Sequence, residues 1–278
     1  MSVLIAIFLG IVQGITEFLP ISSSGHLSVF QKVFALEFKA EEHLLFDVLL
    51  HVATLVSIYL VYKTEIKTML KDTFEFLAGR SSNSEREGRV KPSVRMAFLI
   101  LCATLPLLLV LPFRGEIQRL YTNLGFIAFA LIMNGVLLIV STFFTGGRKS
   151  EKTAKLSDAF IVGLSQVIAT FPGISRSGTT ITVGLARGFK RSFAIAFSFL
   201  MSIPAVIGSL LVTFISAVKA GIQWASLPAY IIGMAVAGAV GYFALSFLKR
   251  FILKRPLTHF GYYCLGAGGV TILIAIFI

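Results

Sequence analysis

The sequence predicts an all-α polytopic membrane protein with six transmembrane helices plus two re-entrant helix hairpins, arranged as an inverted-topology repeat. Three observations carry this. First, 56% of the 278 residues are hydrophobic and only 14% are charged, with a mean hydropathy of +0.88. Soluble domains carry roughly 25% charged residues. So much apolar surface needs lipid as its solvent, which excludes a soluble enzyme, a disordered chain and a disulfide scaffold. Second, several apolar runs reach the length of about 20 helical residues that crosses a hydrocarbon core. Third, two shorter apolar pieces break at polar loops, and the two pieces resemble each other.

In chain order, Val3–Leu19 runs into Pro20 and Ser22-Ser23-Ser24-Gly25-His26, and the short piece Leu27–Phe38 follows. No Lys or Arg precedes Lys32. A secretory leader needs a basic n-region, so the first apolar stretch is expected to belong to the working protein. The spans Leu44–Tyr62, Met96–Pro112 and Leu124–Phe144 come next. Ala159–Phe171 then runs into Pro172-Gly173-Ile174-Ser175-Arg176-Ser177-Gly178, followed by Thr179–Phe189. The spans Phe193–Val218, Pro228–Leu248 and Phe260–Ile278 complete the chain. Each broken piece is too short to span in comfort. It reads as a re-entrant hairpin whose loop lies at membrane depth with its backbone buried in protein. Cys102 and Cys264 lie in apolar runs and read as small core residues.

Charge sets the orientation. Lys63–Arg95, Thr145–Asp158, Arg187–Arg191 and Lys249–Arg255 hold 19 basic residues, and Glu37–His43, Phe113–Thr122 and Lys219–Ser226 hold 4. The basic set faces the cytoplasm by the positive-inside rule. The whole net charge of +12 falls on that side, so topology explains it and no nucleic acid is implied. Threading the chain gives one hairpin and three spans in each half, the second half inverted because three is odd. The reading is one membrane domain, 1–278, made of a first repeat, 1–144, and a second, 157–278. Within the cytoplasmic loop 63–95, Ile66, Met69, Leu70, Phe74 and Leu77 share a face opposite Lys67 and Lys71. That pattern reads as an amphipathic helix on the inner surface, with a flexible turn over Gly79–Gly88.

A shift of 153 residues lays Ala6–Gly25 on Ala159–Gly178 with nine identities in twenty positions, among them Gln13/Gln166, Phe18/Phe171, Ser22/Ser175, Ser24/Ser177 and Gly25/Gly178. Inverted repeats with broken helices bring their polar loops together near the midplane, where such folds bind substrate.

Few ionisable groups lie at membrane depth: Glu17, His26, Asp47, His51 and Arg176, with Lys32 near an end. Such groups are functional candidates by default. Gln13 and Glu17 are four apart and share a helix face. Their oxygens suit a hard divalent cation, Mg²⁺ or Ca²⁺, if substrate phosphate completes the shell. Ser22, Ser23 and Ser24 precede one short helix, and Ser175 and Ser177 flank Arg176 before another. Serines cap free N–H groups there, and helix N-termini attract anions. Arg176 adds a planar fork for phosphate. His26 stands where a general acid or base would serve. These residues point to a site for a phosphorylated, lipidic ligand, with a phosphatase and a lipid-phosphate translocase both open. Gly233, Ala237 and Gly241 line one face of a span and permit close packing with a neighbouring helix, within the chain or in a homodimer.

The string Gln13-Gly-Ile-Thr-Glu17-Phe-Leu-Pro20-Ile-Ser-Ser23-Ser-Gly-His26 closely resembles the first signature of the bacterial undecaprenyl-diphosphatase family, the bacitracin-resistance proteins. Pro172-Gly-Ile-Ser175-Arg176-Ser-Gly-Thr-Thr180 resembles its second, and Phe46-Asp47-Val-Leu-Leu-His51 is also similar to that family. The resemblance implies hydrolysis of undecaprenyl diphosphate to the monophosphate and inorganic phosphate, aided by a divalent cation. It implies a multi-pass protein of the bacterial inner membrane, with the active site open to the outer face. It suggests Ser23 as nucleophile and Arg176 as phosphate clamp, with Glu17 and His26 also catalytic. Gln13, Ser22, Ser24, Ser175, Ser177 and Thr180 would bind substrate, and Glu17 and Gln13 would hold the cation. The family's first acidic position is Glu or Gln, and here it is Gln13, so Glu17 must carry more of the metal role.

Overall fold

The computed structural model describes residues 1–34, 44–80, 90–144, 146–220 and 224–277. The end of the piece Leu27–Phe38, the whole of the outer loop Glu37–His43 and most of the turn Gly79–Gly88 lie outside the described residues. The elements are α1 (Val3–Phe18), α2 (Ser23–Val33), α3 (Leu44–Val61), α4 (Lys63–Leu77), α5 (Pro92–Thr104), α6 (Arg114–Leu120), α7 (Leu124–Val140), α8 (Leu156–Ile168), α9 (Arg176–Ala186), α10 (Arg191–Ala220), α11 (Leu227–Lys254) and α12 (Thr258–Phe277).

Among the described residues, five helical segments are long and apolar enough to cross a membrane: Pro92–Leu120, Leu124–Phe143, Arg191–Ser216, Trp224–Lys254 and Thr258–Phe277. A sixth arises if Leu45–Val61 is counted with Lys63–Leu77, which bends away by 85°. The chain is therefore a polytopic, all-helical membrane protein. The run Met96–Pro112, expected as one span, is α-helical only to Thr104 and tightens into a 3₁₀ segment over Leu105–Phe113. Pro106 and Pro112 explain this, because each lacks the N–H that continues an α-helical ladder.

α4 forms as an amphipathic helix. Ile66 is buried, while Leu70, Phe74 and Leu77 are exposed. Asp72 pairs with Lys91 at 3.0 Å and accepts a hydrogen bond from Ser93, which ties the helix to the start of α5.

Small residues let helix backbones touch. A side chain added at Gly10 would meet the Gly233 carbonyl oxygen at 2.5 Å, so α1 lies directly on α11. The stripe Gly233, Ala237 and Gly241 thus serves packing within the chain, against α1. α7 and α12 form a second close pair, in which Gly135 faces the Gly261 carbonyl. Residues 146–158 cross to the α9–α10 turn, where Asp158 is fully buried. Its carboxylate accepts from Lys149 at 2.8 Å, from Arg187 at 2.8 and 3.0 Å and from the Lys155 N–H at 3.1 Å. Burial alone would raise its pKa, but these donors together hold it below the ordinary carboxylate value.

Candidate active site

α1 stops at Phe18 because Pro20 follows, and α2 restarts at Ser23. α8 stops at Ile168 before Pro172-Gly173, and α9 restarts at Arg176. The restarts are built alike. Ser22 Oγ accepts the Gly25 N–H at 3.2 Å and lies 3.3 Å from Ser24 Oγ. Ser175 Oγ accepts the Gly178 N–H at 3.1 Å and lies 3.3 Å from Ser177 Oγ. The two loops are in contact. A side chain added at Gly25 would reach Gly173 Cα at 3.0 Å, and Ser177 Oγ donates to the Phe18 carbonyl at 3.3 Å.

Glu17 is where the loops meet chemically. Its Oε1 accepts from Arg176 Nη2 at 2.5 Å, across 159 residues of chain. Its Oε2 accepts from Ser23 Oγ at 2.6 Å and from Gln13 Nε2 at 3.1 Å. The carboxylate is 7% exposed and the guanidinium 21%. A charge so desolvated needs its partner, so the pair ties the two loops together. Ser22 has φ 72°, the one non-glycine with positive φ among the described residues. Such a conformation is strained and persists where surrounding structure over-determines it. Here it turns the chain so that the next residue, Ser23, aims its hydroxyl at Glu17.

His26 stands one turn further along α2. Its Nδ1 lies 2.8 Å from the Ser22 carbonyl and its Nε2 lies 2.8 Å from the Tyr263 hydroxyl. A carbonyl only accepts, so Nδ1 carries the hydrogen in this network and Nε2 accepts from Tyr263. The rings also stack, with centroids 5.6 Å apart. Thr180 donates to the Arg176 carbonyl at 2.8 Å and lies 2.6 Å from Ser198 Oγ.

Several residues from outside the two loops also lie at the site. Tyr263 comes from α12. Tyr121 lies near Ser24, Glu17 and Asp47. His51 of α3 lies near both Glu17 and Asp47, and its Nδ1 lies 2.8 Å from the Asp47 carbonyl. Asn134 of α7 contacts both loops. Asp47 and His51 carried a sequence signal, as ionisable groups at membrane depth. The two tyrosines and Asn134 carried none strong enough to single them out.

Among the described residues, no three of His, Cys, Asp and Glu are grouped to hold a metal by themselves. One orphan fits a cation: Gln13 Oε1 is buried beside Glu17 with no hydrogen-bond partner. A hard cation takes such an oxygen together with a carboxylate.

The chain matches the profile of the family described as bacitracin resistance protein BacA over residues 6–270. It is 38% identical over 272 residues to an undecaprenyl-diphosphatase of Carboxydothermus hydrogenoformans, covering 97% of this chain and 95% of that one. It is 37% identical to an undecaprenyl-diphosphatase of Alkaliphilus metalliredigens, covering 98% of each chain. It is 34% identical to one of Halothermothrix orenii, covering 99% of each.

Proposed function

The chain belongs to the bacitracin resistance protein BacA family, and from that premise we propose how its two loops carry out the reaction. The protein hydrolyses undecaprenyl diphosphate to undecaprenyl phosphate and inorganic phosphate. This recycles the lipid carrier for peptidoglycan and other envelope polymers and confers resistance to bacitracin. The observation that carries the mechanism is the chain Ser23–Glu17–Arg176, with links of 2.6 and 2.5 Å.

The polyprenyl tail stays in lipid while the diphosphate reaches the loops. Its charge competes with Glu17 for the Arg176 guanidinium, which has further donors to offer. The loop N–H groups at the starts of α2 and α9 add positive potential. Glu17, relieved of part of its ion pair, is then free to take the Ser23 proton. Ser23 Oγ attacks the terminal phosphorus, the bond to the bridging oxygen breaks, and undecaprenyl phosphate leaves. Water then cleaves the phosphoserine and releases phosphate. Arg176 stabilises charge in both transition states. His26, held through Ser22 and Tyr263, offers a proton acceptor at Nε2 once Tyr263 releases it. Ser22, Ser24, Ser175 and Ser177 line the phosphate pocket, and Thr180 supports Arg176 from below. A divalent cation, Mg²⁺ or Ca²⁺, would be held by the Glu17 carboxylate and the Gln13 amide oxygen and would neutralise diphosphate charge.

The finer topology supports this use of the loops. The α1–α2 and α8–α9 units act as re-entrant hairpins beside six spans, in two inverted halves. Their matching caps and the charge asymmetry of the chain favour this arrangement. In this reading the protein sits in the bacterial inner membrane with the site open to the outer face.

The test is phosphate release from undecaprenyl diphosphate by purified protein in detergent, where no two compartments exist and translocation has no meaning. Wild type releases phosphate, and Ser23→Ala falls by about 10²-fold or more, as loss of a nucleophile demands. Unchanged turnover in Ser23→Ala would make water the nucleophile.

A further inference from the structure

We propose that Asn134 is a positioning residue that sets the register of the two loops, and through them the geometry of Arg176, Glu17 and Ser23. This rests on the phosphatase reading above. Asn134 lies well inside α7 and is 1% exposed. It is the only residue of Leu124–Val140 with a hydrogen-bonding side chain, in the stretch Leu-Gly-Phe-Ile-Ala-Phe-Ala-Leu-Ile-Met-Asn-Gly-Val-Leu-Leu-Ile-Val. Its Nδ2 donates to the Pro20 carbonyl at 3.0 Å and reaches Cys264 Sγ at 3.3 Å. Its Oδ1 accepts the Ser175 N–H at 3.0 Å. One amide therefore bonds the backbone of both loops at once.

These backbone groups are the ones a broken helix leaves without partners. Pro20 lies just past the end of α1, and Ser175 is the N-cap of α9. Neither group has an intrahelical partner, so each must be satisfied by the protein packed around the break. The same face of α7 also seats the second loop sterically. A side chain added at Gly173 would meet Ala130 Cβ at 2.6 Å and the Ile127 carbonyl at 2.8 Å. A side chain added at Gly178 would meet Pro20 Cβ at 3.2 Å. The loops thus lie against each other and against α7, and Asn134 joins them by direct hydrogen bonds to each.

The positions it holds are close to the chemistry along the chain. Ser175 immediately precedes Arg176, and Pro20 is three residues from both Glu17 and Ser23. A slip of either loop along α7 changes the separation between guanidinium, carboxylate and hydroxyl. A misplacement of about 1 Å costs on the order of 10² in rate. Asn134 touches none of the reacting atoms, so its effect passes through the residues it places.

The experiment measures phosphate release by full-length protein in detergent. Asn134→Leu keeps the approximate shape and removes the amide. It should lower kcat about 10–100-fold with KM within about threefold, and remain monodisperse. In an Arg176→Ala background the same substitution should cost less than about threefold, because the residue it positions is gone. Asn134→Asp, whose neutral carboxyl offers one donor and one acceptor, should retain more turnover than Asn134→Leu. Full turnover in Asn134→Leu, or an equal loss with and without Arg176, overturns the proposal. If the leucine variant does not fold, Asn134→Ser carries the same cycle. Wild type that releases no phosphate defeats the functional reading itself. Wild type that does, with losses that simply multiply, defeats only the role of Asn134.

Discussion

The two loops are near copies in sequence and cap geometry, yet they carry opposite chemistry. Each begins with a serine whose Oγ accepts the N–H three residues on, at 3.2 Å in the first and 3.1 Å in the second. Each places a second serine hydroxyl 3.3 Å from the first. Under the shift of 153, however, Glu17 falls on Thr170, Ser23 on Arg176 and His26 on Thr179. Gln13 and Gln166 correspond, but Gln13 donates to Glu17 at 3.1 Å, whereas both amide atoms of buried Gln166 lack partners. The first loop has kept the acid and the hydroxyl, and the second supplies the cation. The backbone shape alone makes two helix starts with matching serine caps. The side chains then divide one site between them.

The largest expected effect tests that division. Arg176→Ala should lose 10²–10³ in turnover or more, as removal of a charge-stabilising donor does. Arg176→Lys should lose most of it, because the charge stays and the fork goes. Adding Glu17→Gln to Arg176→Ala should not restore phosphate release. Recovery in that double variant would make the pair a structural neutralisation, and the loops would no longer differ in chemistry.

A smaller effect separates the two glutamines. Gln13→Leu should raise the Mg²⁺ or Ca²⁺ concentration for half-maximal activity, since the orphan Oε1 beside Glu17 is lost. Gln166→Leu should leave activity within about threefold and stability unchanged or higher, because an unpaired buried amide is replaced by a fitting apolar group. Equal responses from both variants, or full activity in excess chelator, would remove the cation from the first loop.

The smallest effect concerns the acid that each half keeps. Glu17 lies at the first loop, while Asp158 clasps the start of α8 to the end of α9 through Lys149 and Arg187. Its lowered pKa makes its contribution to stability complete above about pH 4, the unfolded value, and lost as pH falls through the folded value. Asp158→Asn should therefore melt several degrees below wild type at pH 7, with a gap that narrows below about pH 4. A gap independent of pH would mean that packing, and not charge, holds that end.

Much of this molecule was legible in one dimension. Lipid leaves an apolar helix no choice but to satisfy its backbone internally, so span length and the breaks at Pro20 and Pro172 could be read directly. Charge asymmetry and the 153-residue duplication are likewise properties of the string. So are Glu17, Ser23 and Arg176, since ionisable groups and serine caps at membrane depth are rare enough to stand out. The bend between α3 and α4, the 3₁₀ tightening around Pro106 and Pro112 and the use of the Gly233 stripe against α1 depended on which helix lay next to which. So did the partners of Glu17: sequence put it near Arg176 only through the repeat, and gave no reason to expect Tyr263 on His26 or Asn134 between the loops. An isolated asparagine or tyrosine in an apolar helix looks the same whether it faces lipid, a neighbouring helix or a broken backbone. Composition and periodicity determine which segments must enter the membrane, because that is a balance of each segment against its solvent. Only packing decides which orphan carbonyl or N–H a given side chain meets, because that depends on contacts between residues as far apart as Pro20, Asn134 and Cys264.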